Sequence, residues 1–133
     1  FYPAEYVPSA ELPDEEYPFI LMTGRILYHY NTRAMTGKTP GLMEKAGHSF
    51  IEMNTEDAAR LGVADGEKVR VTSRRGTLIT TARVGEKVSP KETWMPFHFP
   101  DGNANILTNA ALDKYARIPE YKVCAVKVEK CES

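Results

Sequence analysis

Pro18-Phe19-Ile20-Leu21-Met22-Thr23-Gly24-Arg25-Ile26-Leu27-Tyr28-His29-Tyr30-Asn31-Thr32-Arg33 is the stretch around which the chain is organised. Phe19 to Met22 is an apolar run that reads as a short buried strand, and it stops at Thr23-Gly24. Arg25, His29, Asn31, Thr32 and Arg33 then come in quick succession. A strand that feeds a glycine and a cluster of donors presents backbone N–H groups and cationic side chains to an anionic ligand.

Working outward, the next segments are short helices and short strands. Thr39-Pro40 reads as an N-cap with proline at the first helical position, opening a short helix that ends at Gly47. Ser49 to Met53 reads as a second strand. Asn54-Thr55-Glu56-Asp57 starts the strongest helix signal: Asn54 caps, Asp57 reaches back to its N–H as in a capping box, and Gly62 stops the helix. Lys68 to Ser73 alternates with period two, turns at Arg74-Arg75-Gly76, and returns as Thr77 to Val84 with Leu78, Thr80 and Ala82 on one face. The Arg74-Arg75 pair reads as a solvated hairpin turn. Glu92 to Met95 is a further strand stopped by Pro96, and Phe97 to Asn105 a loop. Thr108 to Leu112 reads as a helical turn, and Tyr121 to Val128 as the last strand. Six or seven short strands with one or two short helices make a mainly β domain, and closure into a small barrel removes the edge strands. There is no regular β-helix-β alternation to suggest a Rossmann sheet.

Residues 1–16 carry Pro3, Pro8 and Pro13 with five acidic residues, and read as an extended linker or arm; the folded domain is expected to occupy residues 17–133. The chain opens on Phe1 with no basic n-region, which reads as an excised or processed piece of a longer protein rather than a signal peptide. A net charge of -1 argues against nucleic-acid binding, and no apolar run is long enough for membrane insertion. Cys124 and Cys131 have no metal-ligand spacing; Cys124 reads as a buried thiol in a strand and Cys131 as exposed, both reduced, which fits a cytoplasmic setting.

No self-contained catalytic constellation is visible. His29, His48 and His98 share no ligand spacing, and there is no nucleophile elbow, Walker loop or Gly-x-Gly-x-x-Gly. His48 reads as a surface turn residue; His29 as either a core-edge histidine or a ligand contact; His98, between Phe97 and Phe99, as either core or contact. What remains is a set suited to holding something anionic and flat: Arg25, His29, Asn31, Thr32, Arg33, Asn105, Lys122 and the aromatic loop Phe97-His98-Phe99.

Five segments in order resemble one family. Thr23-Gly24-Arg25 with His29-Tyr30-Asn31-Thr32-Arg33-Ala34-Met35-Thr36-Gly37 resembles the opening of the C-terminal molybdopterin-dinucleotide-binding domain of molybdenum/tungsten bis-pterin oxidoreductases. The Asn54-to-Val63 helix, the Val69-to-Gly76 hairpin, Asn105-Ile106-Leu107-Thr108 and Pro119-to-Val128 are similar to its later segments, from about Tyr17 to Glu129. Within that family the chain looks most like the catalytic (alpha) subunit of formate dehydrogenases. The equivalent domain of a nitrate reductase or formylmethanofuran dehydrogenase is the alternative, and a non-enzymatic double-psi barrel adaptor domain is a second.

The resemblance implies a six-stranded double-psi β-barrel with short helices. It implies a bis-molybdopterin guanine dinucleotide carrying Mo or W, shared with upstream domains of the same catalytic subunit. A 4Fe-4S cluster would lie in the parent rather than here, and an electron-transfer subunit would be a partner. It implies cofactor contacts from Thr23, Gly24, Arg25, Ile26, Leu27, His29, Asn31, Thr32, Asn105 and Lys122, with Phe97 lining the route to the metal. His98-Phe99-Pro100-Asp101-Gly102 departs from the family pattern. No metal ligand and no catalytic residue are implied within this domain, so the isolated domain is expected to be inactive.

Overall fold

Alternation sets the first hairpin. In the computed structural model, which describes residues 1–131, Lys68–Thr72 (β3) and Thr77–Gly85 (β4) pair antiparallel, with Val69 opposite Thr80 and Val71 opposite Leu78. Val69, Val71, Leu78, Thr80 and Ala82 are buried, while Ile79 and Arg83 face out. Four further strands complete the sheet: Phe19–Gly24 (β1), Phe50–Asn54 (β2), Glu92–Pro96 (β5) and Val123–Lys130 (β6). Two helices, Pro40–Lys45 (α1) and Thr55–Leu61 (α2), lie between strands. The last two residues of the expected 17–133 domain fall outside the described residues.

The strands close into a barrel in the order β1-β5-β2-β4-β3-β6. β1 runs parallel to β5, and β2 parallel to β4; every other neighbouring pair is antiparallel. The six-stranded double-psi barrel expected from the resemblance is the fold. Inside it, Leu21, Ile51, Met53, Val69, Val71, Met95, Leu107, Val126 and Val128 are all but inaccessible. Each buried aliphatic side chain of this size contributes about 1.5–3 kcal/mol from removal of apolar surface from water.

Five local expectations are corrected. Asn54 caps α2 by accepting from Glu56 N, and Gly62 ends it with φ 67, but Asp57 does not reach back to Asn54. The Asp57 carboxylate, 1% exposed, instead accepts from Lys91 N at 2.5 Å and from Arg60 at 3.4 Å, stitching α2 to the loop before β5. Thr39 makes no side-chain cap on α1. Thr108 to Leu112 is not helical, because the Asn109 side chain competes for the backbone: it accepts from Ala111 N at 2.9 Å and donates to Val123 O at 3.2 Å. Helical turns form earlier, as short 3-10 turns at Pro100–Gly102 and Ala104–Ile106 within the expected loop.

The fourth is the Arg74-Arg75 turn, which is not simply solvated. Arg74 pairs with Glu11 at 2.7 Å and with Asp14, and lies over the Tyr17 ring; Arg75 pairs with Glu11 at 2.6 Å. The acidic N-terminal segment therefore lies against the hairpin turn. Cys124 is buried as expected, whereas Cys131 is half-buried rather than exposed. His48 is at the surface, 3.8 Å from Asp101.

Candidate functional site

After Gly24 the chain leaves β1 and must cross the barrel end before α1. The loop holds its shape with two residues in left-handed backbone, Asn31 at φ 47 and Arg33 at φ 64. Non-glycine residues adopt that region only when surrounding contacts fix them. Here they are fixed from below by two histidines and Phe99. His98, 1% exposed, takes the Ile26 N–H on Nε2 at 3.0 Å, and its Nδ1 donates to the Asn31 carbonyl. That pairing requires a neutral ring with the proton on Nδ1. Burial lowers the His98 pKa, the bond to Asn31 opposes that shift, and the nearby His29, Arg25 and Arg33 reinforce it.

His29 is also buried, with both nitrogens used inside the protein: Nε2 donates to the Ala46 carbonyl at 2.5 Å and Nδ1 lies 3.1 Å from Thr36 Oγ1. Its ring packs edge-on against Phe99, with centroids 5.5 Å apart. Of its two readings, the core-edge one describes this geometry; the ring holds the loop and has no nitrogen left for a ligand. Arg33 donates to the Gly47 carbonyl at 2.9 Å and its guanidinium lies 4.8 Å from the Phe99 ring centre. Arg33 is thus a brace as well.

The outer side of this loop faces a pocket of about 430 Å³ lined by Arg25, Asn31, Thr32, Phe97, Asn105, Thr108, Pro119 and Tyr121. Arg25 gives one N–H to Asn31 Oδ1 at 3.2 Å, and its guanidinium lies 5.8 Å from the Phe97 ring centre. A guanidinium has five donors, so the fork retains others for an anion. Asn31, Thr32, Asn105 and Thr108 add polar groups around it, and Phe97, Pro119 and Tyr121 form an apolar wall. Anion donors beside a flat apolar wall match a ligand that is charged at one end and planar at the other.

Five expected residues (Arg25, Asn31, Thr32, Phe97 and Asn105) are brought together from three separate parts of the chain. The others are elsewhere. Thr23 is buried and spends its hydroxyl on Tyr121 O at 2.7 Å and its N–H on Lys122 O at 2.9 Å. Gly24 is required by a different neighbour than a ligand: a Cβ there would meet Trp94 Nε1 at 2.9 Å. Ile26 supplies the N–H held by His98, and Leu27 projects outward at 89% exposure. Lys122 is exposed and its neighbour Tyr121 lines the pocket in its place. Sequence reading missed Tyr121, Pro119 and Thr108, although all three lie within or beside the quoted segments. Among the described residues no group of three or more His, Cys, Asp or Glu is placed to hold a metal ion. No helix among them is long and apolar enough to cross a membrane.

A closed double-psi barrel with a donor-and-aromatic pocket at one end defines a ligand-holding domain. Residues 19–125 match the family described as "Molydopterin dinucleotide binding domain", and the chain belongs to that family. It is 50% identical over 97% of its length to the F420-dependent formate dehydrogenase subunit alpha of Methanocaldococcus jannaschii. It is 49% identical over 91% of its length to a nitrate reductase of Symbiobacterium thermophilum. The chain spans only 19% and 17% of those two relatives. Among solved structures, acetylene hydratase from Pelobacter acetylenicus shares the fold, with a TM-score of 0.75 at 17% identity, covering 88% of this chain and 19% of that one.

Proposed function

We propose that this chain is the cofactor-holding domain of a formate dehydrogenase catalytic subunit, cradling one molybdopterin guanine dinucleotide of a bis-pterin molybdenum or tungsten centre. The observation that carries the reading is the convergence of Arg25, Asn31, Thr32, Phe97 and Asn105 on one pocket. Close similarity to formate dehydrogenase alpha subunits supports the choice of parent.

The donor set suits the group. The free donors of Arg25 suit the diphosphate, and Asn31, Thr32, Asn105 and Thr108 offer both donors and acceptors to a pterin edge or its linker. Phe97, Pro119 and Tyr121 exclude water from a planar ring. When bound, the metal–pterin group supplies the two-electron chemistry of formate oxidation to carbon dioxide. This domain's residues bind and orient it; the metal ligand, the acid/base group and the 4Fe-4S cluster belong to upstream domains of the parent. Leu27, Tyr30 and Met35, exposed on the same loop, are apolar surface that those domains would cover. An electron-transfer subunit completes the expected partners.

The test is made in the full catalytic subunit. Arg25→Ala is expected to lower bound pterin and metal while leaving the melting temperature of the apoprotein unchanged; full loading would remove Arg25 from the site. A nitrate-reducing parent is the competing reading, supported by the Symbiobacterium thermophilum relative. Formate with a dye acceptor, against nitrate with a reduced dye donor, separates the two. Turnover of formate by the isolated domain would place chemistry here that the reading assigns upstream.

A further inference from the structure

Asn105 and Thr108 reach the pocket from a segment with no strand of its own, so something must hold that segment in place. Asn105 sits in the 3-10 turn Ala104–Ile106, which Leu107 closes by donating its N–H to Ala104 O at 3.0 Å. Thr108 Oγ1 donates to Asn105 O at 3.0 Å, so the two pocket residues move together. The Leu107 side chain is fully buried in the barrel. Its carbonyl points the other way and accepts two bonds from one guanidinium: Arg75 Nε at 3.1 Å and Nη2 at 2.7 Å.

Arg75 lies on the β3–β4 turn, whose Gly76 packs so closely that a Cβ there would stand 3.0 Å from Ile106 O. The same Nη2 is 2.6 Å from Glu11 Oε2, and the Glu11 side chain is only 11% exposed. Shielding from water strengthens such a charge pair, which holds the guanidinium where its Nε and Nη2 meet the Leu107 carbonyl. The next residue along the arm, Ala10, donates its N–H to Glu120 Oε2 at 3.1 Å, where Asn109 Nδ2 also donates at 3.1 Å. The arm therefore grips both ends of the segment that supplies Asn105, Thr108, Pro119 and Tyr121.

We propose that Arg75, aimed by Glu11, is a positioning residue for the pocket: it sets Asn105 and Thr108 through the Leu107 carbonyl. The proposal rests on the reading of the pocket as a pterin dinucleotide site. Arg74 is the matched control, because it engages Glu11 and Asp14 but makes no bond to Leu107.

The experiment compares wild-type full catalytic subunit with Arg75→Ala, Glu11→Gln, Arg74→Ala and Arg25→Ala. Two quantities are read: amide hydrogen exchange across residues 103–109 in apoprotein, and pterin retained after dialysis, measured as the fluorescence of the oxidised pterin. Arg75→Ala is expected to speed exchange of the Leu107 amide and to raise pterin loss about tenfold, the scale of losing charge-assisted bonds. Glu11→Gln should do both by about threefold, since the guanidinium bonds stay but lose their orienting charge. Arg74→Ala should leave both near wild type. Equal effects of Arg74→Ala and Arg75→Ala, or wild-type exchange and retention in Arg75→Ala, would overturn the positioning role. Should Arg75→Ala not fold, Glu11→Gln decides: wild-type behaviour in it overturns the proposal. If Arg25→Ala keeps all its pterin, the pocket reading fails, and the exchange data alone still decide whether Arg75 orders the turn.

Discussion

Replacing His98 by phenylalanine removes two hydrogen bonds and puts a somewhat larger, wholly apolar ring at a position that is 1% exposed. The Ile26 N–H loses its acceptor at 3.0 Å in a part-buried position. An unmet buried donor costs about 1–3 kcal/mol. The Asn31 carbonyl loses the Nδ1 donor, but Asn31 is exposed, so water replaces much of that bond and the net loss is about 0.5–1.5 kcal/mol. The two together come to about 1.5–4.5 kcal/mol. In a chain of 133 residues that corresponds to a fall in melting temperature of roughly 10 °C. Two narrower variants separate the bonds. His98→Gln places an amide oxygen near the Nε2 position and should keep the Ile26 bond, whereas His98→Asn places an amide N–H near Nδ1 and should keep the Asn31 bond. Because Ile26 is the more costly loss, Gln should be the milder substitution. The assay is urea unfolding followed by far-UV circular dichroism, with hydrogen exchange of the Ile26 amide as the local readout. A loss below about 0.5 kcal/mol in His98→Phe, the range of a neutral surface change, would refute the assignment of His98 as the pin of this loop. So would an Ile26 amide that exchanges at the same rate as in the wild type.

The same ring predicts acid sensitivity. Burial holds His98 below its ordinary value of 6.5, so between that lowered value and 6.5 the unfolded chain binds a proton that the native chain refuses. Stability is then complete above pH 6.5 and falls as pH drops, at up to about 1.4 kcal/mol per pH unit from this group; a His98→Phe chain should show a smaller decline in urea titrations over that range. For the thiols, burial pushes Cys124 up to about 11, with the nearby Arg75 pulling the other way. Iodoacetamide at pH 8 should therefore label the half-buried Cys131 in native protein and Cys124 only after denaturant, read by peptide mass spectrometry; native labelling of Cys124 would contradict its burial.

Local periodicity made the strands and α2 legible, because their signals are short-range: Val69 and Val71 alternate with charged residues, and Asn54 and Gly62 mark both ends of the helix. Arg25, Asn31 and Thr32 were legible for a similar reason, since they follow one strand directly. The strand order was not. β1 pairs with β5 across some 70 residues, and nothing in either strand names its partner. The braces were illegible for the same physical reason. His98 looked like an aromatic loop residue until the fold brought Ile26 N and Asn31 O to its two nitrogens. Arg75 looked like a turn residue until Glu11, far along the chain, was laid beside it. A carboxylate in the first turn of a helix suggests capping, and only the tertiary fold shows Asp57 bonded to Lys91 N instead.

The pocket is built almost entirely from loop side chains, yet a cofactor cradle has to be rigid before the ligand arrives if binding is not to be spent on ordering it. Its two polar walls solve this with residues sunk into the barrel. The wall holding Arg25, Asn31 and Thr32 rests on His98 and Phe99, both 1% exposed, and the wall holding Asn105 and Thr108 rests on Leu107, fully buried. His98 fixes the Ile26 N–H and the Asn31 carbonyl on one side, and Arg75 holds the Leu107 carbonyl on the other. Arg25, Asn31, Thr32 and Asn105 stay exposed at the pocket, and Arg25 keeps donors beyond the one given to Asn31, while their main chain is held to the core. This division explains why the two buried histidines beneath the loop, His29 and His98, have their ring nitrogens engaged within the protein. A histidine offered to the ligand would leave its loop unpinned; a histidine spent on the backbone preorganises Arg25 and Asn31 without touching what they bind.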